Sequence, residues 1–220
     1  MKIGIILTGI IEEYYLNDLI RCYENISKNK NYVIIISTWK YTDENIISKL
    51  KEHNFQIILS EFPEDIDKSS VNYQHFSYLI GLETARMNNC THVIRIRSDL
   101  FITDIYKFLK IYETIYCEKP IFLALFNHEG GYLIDHIFMY DIDFYENFTF
   151  KYKDKNDNRF PEKYLQEVYF GTSDCTILKE KVTLSIRELI KNDVQLIFLK
   201  GIYREQGNLL VRYLDHGILE

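Results

Sequence analysis

The sequence predicts an α/β fold with a mixed, mostly parallel sheet flanked by helices. Predicted strands alternate with predicted helices through the first half of the chain, a pattern typical of parallel sheets with helical crossovers. The stretch 92–97 is rich in β-branched residues, which is typical of a buried strand in an open α/β sheet. The chain has 220 residues, 47% of them hydrophobic and 26% charged, which is enough for one sizeable core.

Hydrophobic spacing predicts the elements of the first half. In the first helix, Leu16, Leu19 and Tyr23 recur at helical spacing, whereas Pro63 and the polar residues around it predict a loop at 61–72. In chain order, the predicted elements are a strand at 2–8, a helix at 15–27, a strand at 32–37, a helix at 42–53, a strand at 55–59, a helix at 73–87, a strand at 92–97, a short helix at 104–113 and a strand at 120–125.

The second half is less regular. A polar stretch at 151–160 predicts a loop, and Pro161 is typical of the first turn of a helix. No linker divides the chain, so we expect a single domain spanning 1–220. The remaining predicted elements are a short strand at 132–134, a helix from 161, a helix at 182–191 and a strand at 194–199, while 201–220 shows no clear period.

Composition excludes several classes of function. The formal net charge of -6 gives no general basic surface, so we expect no nucleic-acid partner. The four cysteines are scattered without a C-x-x-C pair, which is typical of free thiols in a reducing compartment. The short apolar start is followed by Glu12-Glu13 and lacks a cleavage site, and no later window is long enough for a membrane span. We therefore expect a cytoplasmic protein.

Polar side chains follow four of the predicted strands. The carboxyl ends of parallel strands meet at one edge of a sheet, where ligands bind, so we expect these residues to converge. Trp39, the only tryptophan, suits either the core or a wall against a ring. The four groups are Thr8-Gly9, Ser37-Thr38-Trp39, Arg97-Ser98-Asp99 and Asp135-His136.

Asp99 is a candidate ligand for Mg²⁺ or Mn²⁺, because hard cations prefer oxygen ligands. Its structural alternatives are to cap the next turn or to pair with Arg95 or Arg97. Arg97 suits either a bidentate phosphate contact or a salt bridge within the same edge. Asn72 is typical of a helix cap, although its amide and that of Gln74 also suit contacts with a base or a ribose.

Three further candidates have structural alternatives. Asp135 with His136 suits a base beside a metal or phosphate contact, but equally a turn or a helix cap. His216 suits a further metal ligand or a solvated residue of the tail. Glu162 stands at a predicted helix start, where the helix dipole favours an anion and capping is a sufficient explanation.

Six stretches stand in one order along residues 2–170. They are the strand end at Thr8-Gly9, the strand end Ser37-Thr38-Trp39, Asn72-Tyr73-Gln74-His75-Phe76-Ser77 leading to Gly81-Leu82, Val93-Ile94-Arg95-Ile96-Arg97-Ser98-Asp99, Asp135-His136-Ile137-Phe138 and Pro161-Glu162-Lys163-Tyr164-Leu165. In this order they resemble the WavE-type lipopolysaccharide-synthesis family, glycosyltransferases with a GT-A-like fold. Two positions depart from it: Tyr73 replaces a basic residue, and His75 replaces an aliphatic one.

The resemblance implies transfer of a sugar from a nucleotide-sugar donor to a glycan or lipid-linked acceptor. It divides the domain into a nucleotide-binding part at about 1–100 and an acceptor-side part at about 101–220. The implied contacts to the donor nucleotide are Thr8, Gly9, Ser37, Thr38, Trp39, Asn72, Gln74, Arg97 and Ser98.

The resemblance also implies a metal, Mn²⁺ or Mg²⁺, on the donor diphosphate. Asp99 would hold it, with His136 and His216 as further candidate ligands. The triplet Arg97-Ser98-Asp99 keeps only the last carboxylate of the Asp-x-Asp motif of GT-A enzymes. If the reaction inverts the anomeric carbon, Asp135 is the first candidate for the base and Glu162 the second.

Two other functions compete with this hypothesis. A non-catalytic nucleotide- or sugar-binding protein with the same fold is consistent with the missing first carboxylate. A dinucleotide-dependent or methyl-transfer enzyme usually needs a glycine-rich turn after the first strand, which Thr8-Gly9-Ile10-Ile11-Glu12 does not supply.

Overall fold

The computed structural model of the protein describes eleven strands and five helices in residues 1–115, 121–125, 132–142, 151–159, 161–171, 184–185, 192–194, 196–198, 201–206 and 209–213. The helices are α1 (Glu13–Ser27), α2 (Glu44–Lys51), α3 (Ser70–Met87), α4 (Ile105–Ile115) and α5 (Pro161–Phe170). The strands are β1 (Ile3–Thr8), β2 (Tyr32–Trp39), β3 (Gln56–Ser60), β4 (His92–Arg97), β5 (Leu100–Ile102), β6 (Ile121–Leu125), β7 (Tyr132–Asp141), β8 (Leu184–Ser185), β9 (Leu196–Phe198), β10 (Gly201–Gln206) and β11 (Leu209–Tyr213).

The larger sheet has the strand order β3-β2-β1-β4-β7-β6-β8. Strands β3, β2, β1 and β4 are mutually parallel, whereas β7 runs antiparallel to both β4 and β6. The parallel half contains the elements whose hydrophobic runs predict alternating strands and helices. The sheet is therefore mixed: its four adjacent parallel strands come from the first hundred residues, and β8 pairs in parallel with β6.

Alternate residues of β1 enter two hydrophobic cores, one on each face of the sheet. Ile5 and Leu7 belong to a core shared with α1 and α4, and Ile6 belongs to the opposite core, shared with α3 and α5. Gly81 lets α3 approach β1 closely, because a Cβ at this position would overlap Cγ2 of Ile6. A strand buried on both faces needs continuous apolar sequence, which explains why β1 is a hydrophobic run.

The second sheet is antiparallel, with the order β11-β10-β9-β5. It begins directly after β4, because only Ser98 and Asp99 separate that strand from β5. Sequence spacing predicts neither β5 nor β10 and β11. The pair Gly207-Asn208 between the last two strands is typical of a two-residue hairpin and was the missed signal.

The predicted helix at 182–191 is wrong at Leu184–Ser185, which form β8 beside β6. The predicted strand at 132–134 extends to Asp141. Asp135 and His136 therefore lie inside β7 and not at its end, because the pairing of β7 with β4 continues its extended backbone. Among the described helices, none is long and apolar enough to cross a membrane.

Candidate functional site

The carboxyl ends of three parallel strands meet at one edge of the larger sheet. Thr8 lies opposite Ser37 on one side and opposite Arg97 on the other, so this part of the predicted convergence is confirmed. On the neighbouring strand β7, Ile137 pairs with Ile96. The backbone of Asp135 and His136 precedes that pair and lies towards the same edge, whereas their side chains are outside the described part of the structure.

A cavity of about 400 Å³ opens at this edge. That volume lies within the range of small-molecule sites, roughly 300–1,000 Å³. Its lining comes from the ends of the parallel strands, the β1–α1 connection and the first turns of α3. The lining residues are Thr8, Gly9, Ile10, Glu12, Tyr14, Tyr15, Trp39, Tyr41, Ser70, Tyr73, Gln74, Ser77, Arg95, Arg97, Ser98 and Asp99.

Three of the predicted nucleotide contacts do not line this cavity. The Ser37 hydroxyl donates to the carbonyl of Ser77 at 2.7 Å, and the Ser77 hydroxyl donates back to the carbonyl of Ser37 at 2.9 Å. This reciprocal pair joins β2 to α3. The buried hydroxyl of Thr38 lies 3.0 Å from that of Thr42 and holds the turn after β2.

Asn72 is the third predicted nucleotide contact that does not line the cavity, and its side-chain amide joins two loops. The amide NH₂ donates to the carbonyls of Asp67 at 2.7 Å and Lys153 at 2.8 Å, and its oxygen accepts from the Lys153 amide at 2.7 Å. The prediction that Asn72 caps the helix is wrong. Ser69 caps α3, because its hydroxyl accepts from the backbone N–H of Asn72. The helix therefore begins three residues earlier than predicted.

Arg95 forms the inner wall of the cavity. It is fully buried in β4, where its Nε donates to the Thr8 hydroxyl at 2.8 Å and its NH2 donates to Oε1 of Gln74 at 3.0 Å. The sequence predicts Arg95 only as a partner for Asp99. The signal for a larger role was a charge in the middle of an apolar strand, since a buried charge needs dedicated polar partners.

Arg97 and Asp99 form an ion pair at the cavity surface. Nε of Arg97 donates to one carboxylate oxygen of Asp99 at 2.8 Å, and NH2 donates to the other at 2.5 Å. The two side chains are 33% and 28% exposed, so solvent reaches the pair. Of the alternatives open for Asp99, the structure shows pairing with Arg97.

The β1–α1 connection is fixed against the end of β4. Gly9 has φ +126, and a Cβ there would lie 2.8 Å from the Ser98 hydroxyl oxygen. That hydroxyl donates to the carbonyl of Ile10 at 2.8 Å, and the Tyr15 hydroxyl donates to the same carbonyl. Burial raises the pKa of Tyr15 to about 12, so this phenol stays a donor at neutral pH.

Aromatic side chains form the outer wall. The ring of Trp39 is stacked with that of Tyr41, with centroids 6.4 Å apart and planes 9° apart, and it meets the edge of Tyr73 at 5.4 Å. Tyr41 is 71% exposed and Tyr14 is 58% exposed, which leaves both rings at the cavity mouth. Burial, and then the charges of Glu12 and Asp99, raise the pKa of Tyr14.

His75, which departs from the resembling family, packs behind the inner wall. Its ring lies 6.3 Å from that of Tyr78 and 6.2 Å from that of Tyr152. Burial lowers its pKa well below the usual value, and the neighbouring charge of Arg95 lowers it further. The imidazole is therefore neutral at pH 7 and adds no charge behind the cavity.

The described residues contain no group of three or more His, Cys, Asp or Glu side chains placed to hold a metal. At the predicted metal position, both oxygens of Asp99 accept from Arg97. The backbone of Glu162 lies in the first turn of α5, but its side chain is not described. The backbone of His136 is in β7, and His216 lies outside the described residues.

Comparison with models of protein families gives no match, and comparison with curated proteins gives none. Among solved structures, one from Bacillus anthracis, described as a glucose-1-phosphate thymidylyltransferase in complex with a sucrose, is 11% identical. It matches 90% of this chain and 89% of its own, with a TM-score of 0.51.

Two further structures match only in part. The apo-form glycosyltransferase GlyE from Streptococcus pneumoniae TIGR4 is 12% identical over 84% of this chain, with a TM-score of 0.47, and S. aureus TarS is 13% identical over 67%, with 0.48. This chain spans 44% and 49% of their lengths. At 11% identity, the likeness to the structure from Bacillus anthracis shows a shared fold alone. The predicted fold class, a GT-A-like mixed α/β sheet flanked by helices, is confirmed.

Proposed function

We propose that this protein is a glycosyltransferase that moves a sugar from a nucleotide-sugar donor to a glycan or lipid-linked acceptor. The observation that carries the proposal is the cavity at the carboxyl ends of the parallel strands, which has guanidinium groups inside and aromatic rings at its mouth. Residues at about 1–100 would bind the nucleotide, and residues at about 101–220 would form the acceptor side. Membership of the WavE-type family is part of the same proposal.

The lining matches the parts of a nucleotide sugar. A diphosphate is an anion that guanidinium groups bind through paired, charge-assisted hydrogen bonds, and Arg97 lies partly exposed at the cavity surface. The buried guanidinium of Arg95 adds a fixed positive charge to the inner wall. A planar base suits stacking against the exposed ring of Tyr41.

In glycosyl transfer, negative charge develops on the departing nucleoside diphosphate. A preorganised cation at that position stabilises the transition state more than the ground state, which is the source of rate acceleration. Arg95 is preorganised by its hydrogen bonds to Thr8 and Gln74. The Arg97 side chain is one-third exposed and lines the cavity, so a diphosphate bound there can contact its guanidinium.

The acceptor side is proposed on the sequence alone. If transfer inverts the anomeric carbon, a carboxylate must take the proton of the acceptor hydroxyl, and Asp135 is the first candidate. Its backbone position in β7, towards the end of β4, is consistent with that role. Glu162 in the first turn of α5 is the second candidate. A retaining reaction needs no base at this place.

Metal assistance does not fit the described residues. The resemblance implies Mn²⁺ or Mg²⁺ on Asp99, with His136 and His216 as further ligands. The guanidinium of Arg97 instead occupies both oxygens of Asp99, and a second guanidinium, that of Arg95, lines the same cavity and repels a cation. We therefore assign no step of the reaction to a metal.

A non-catalytic nucleotide- or sugar-binding protein is the second candidate function. The occupied carboxylate of Asp99 favours it, because Arg97 then holds Asp99, and Glu12 is the remaining carboxylate among the described lining residues. Nucleotidyl transfer is a third outcome to be tested, since the fold is shared with the protein described as a thymidylyltransferase.

The test is incubation with a panel of nucleotide sugars, followed by measurement of the nucleoside diphosphate that is released when the sugar passes to an acceptor or to water. Release by the natural sequence should fall roughly 100- to 1,000-fold in Arg97→Gln, the range expected for loss of one transition-state contact. Tyr41→Ala should weaken nucleotide binding about two- to tenfold through lost stacking. Tyr106→Ala removes an exposed ring outside this cavity and should change neither.

Three results separate the candidate functions. Binding of a nucleotide sugar without release of nucleoside diphosphate, with any acceptor or with water alone, supports the non-catalytic protein. Formation of a nucleotide sugar from a nucleoside triphosphate and a sugar phosphate supports nucleotidyl transfer. Failure of every nucleoside diphosphate and nucleotide sugar to bind rules out all three.

A further inference from the structure

We propose that Asp99 is an internal counter-anion that occupies Arg97 in the empty cavity and gives way to the diphosphate of the ligand. This inference rests on the proposed use of a nucleotide-sugar donor and assigns Asp99 a role other than metal binding. Asp99 would thereby lower the affinity of the empty site for every anion, and a ligand would have to displace it.

The geometry of the pair supports competition for Arg97. Asp99 takes Nε at 2.8 Å and NH2 at 2.5 Å, which together make up one of the two edges that a guanidinium offers to an oxyanion. A phosphate group binding at this edge would need the same two N–H groups. Both side chains line the cavity, so ligand and carboxylate compete at one place.

The exposure of the pair indicates that it can be displaced. Buried ion pairs are costly to break, whereas exposed pairs are screened by solvent and contribute little. Arg97 and Asp99 are 33% and 28% exposed, which places their contact at the water-accessible surface of the cavity. A diphosphate carries more than one negative charge and can therefore replace a single carboxylate.

Arg95 has a different environment and is not part of the exchange. Its side chain is fully buried, and hydrogen bonds to Thr8 and Gln74 hold it in the inner wall. It supplies a fixed positive charge, while Arg97 supplies one whose availability depends on Asp99. The cavity thus combines a fixed positive charge in its wall, from Arg95, with a conditional contact for the anion, from Arg97.

Competition predicts a gain of affinity when the carboxylate is removed. The apparent dissociation constant is the intrinsic one divided by the fraction of molecules in which Arg97 is available. With the stabilisation usual for a solvent-exposed pair, Asp99→Asn should bind inorganic pyrophosphate about two- to sixfold more tightly. A metal ligand would behave oppositely, because its removal weakens binding.

The experiment is titration calorimetry of the full chain with inorganic pyrophosphate in EDTA at low salt. The variants are Asp99→Asn, Arg97→Gln and the double variant, with Glu12→Gln as the matched control. Glu12 lines the same cavity, so its neutralisation removes an equal charge without releasing Arg97. We expect the gain in Asp99→Asn, a smaller change in Glu12→Gln, and no gain from Asp99→Asn when Arg97 is already Gln.

Three results overturn the inference. One is unchanged or weaker binding in Asp99→Asn, and another is a gain that persists in the Arg97→Gln background, which would indicate a general field effect. The third is tighter binding of pyrophosphate in Mn²⁺ that disappears in Asp99→Asn, which would make Asp99 a metal ligand. Failure of the proposed function gives a different result. In that case the affinities for pyrophosphate change among the single and double variants as expected, but no nucleotide sugar binds.

Discussion

Replacement of Gly9 by Ala tests whether the β1–α1 connection depends on close approach to β4. The φ of +126 lies in a region that L-residues rarely adopt, and holding a side chain there costs about 1–3 kcal/mol. The new Cβ would lie 2.8 Å from the Ser98 hydroxyl oxygen and disturb its hydrogen bond to Ile10, worth about 0.5–1.5 kcal/mol. We expect Gly9→Ala to lower the free energy of unfolding by roughly 2–4 kcal/mol.

Gly171→Ala is the matched control for backbone strain alone. Gly171 also has a positive φ, +70, but a Cβ there meets nothing within 4 Å, so its cost should stay near 1–2 kcal/mol. Urea unfolding of both variants gives the difference. Adding Ser98→Ala to Gly9→Ala should recover part of the loss, because the Ser98 Cβ is 4.0 Å from the new atom. Equal losses in the two glycine variants, or strict additivity with Ser98→Ala, would refute the reasoning.

Two further perturbations address the supports of the cavity. Asn72→Asp places a carboxylate against two backbone carbonyls and should lower the free energy of unfolding in urea by about 2–4 kcal/mol. The control Asn25→Asp, at an exposed position, should lower it by under about 0.5 kcal/mol. Equal losses in the two variants would contradict the role of Asn72 in joining the two loops. Burial raises the pKa of Tyr15 to about 12, so its folded state holds the proton more tightly than the unfolded state. The contribution of protonated Tyr15 to the free energy of unfolding is present below pH 10 and is lost, by roughly 2–3 kcal/mol, as the pH rises to 12. Tyr15→Phe should flatten this part of the curve of stability against pH, and Tyr106→Phe should leave it unchanged.

The parallel half of the fold was predictable because its signals are local. Apolar runs and helical spacing placed β1, β2 and β4, and strand direction then brought Thr8, Trp39 and Arg97 to one edge. Hydrophobic periodicity reports burial within a segment, which is why it succeeds for strands covered on both faces. The ion pair of Arg97 with Asp99 was also predictable from the sequence, because both residues belong to one short stretch.

The missed features depend on contacts between distant segments. The amide of Asn72 finds its partner 81 residues along the chain, at Lys153, and no spacing rule predicts which loop will arrive there. The same limit applies to Arg95, whose partners Thr8 and Gln74 come from β1 and α3. Polar residues with such partners look like surface residues or caps in the sequence, because their burial is decided by tertiary structure.

Asp99 stands at the junction of the two sheets, and this position restricts how it can leave Arg97. Only Ser98 and Asp99 connect β4 to β5, and the Ser98 amide donates to the carbonyl of Thr8 at 2.9 Å. The backbone is thus held on both sides, so the carboxylate moves by rotation of its own side chain. Such rotations are complete within nanoseconds, long before a ligand arrives. The availability of Arg97 is therefore an equilibrium established before binding, and removal of Asp99 should raise the association rate of pyrophosphate while leaving its release unchanged.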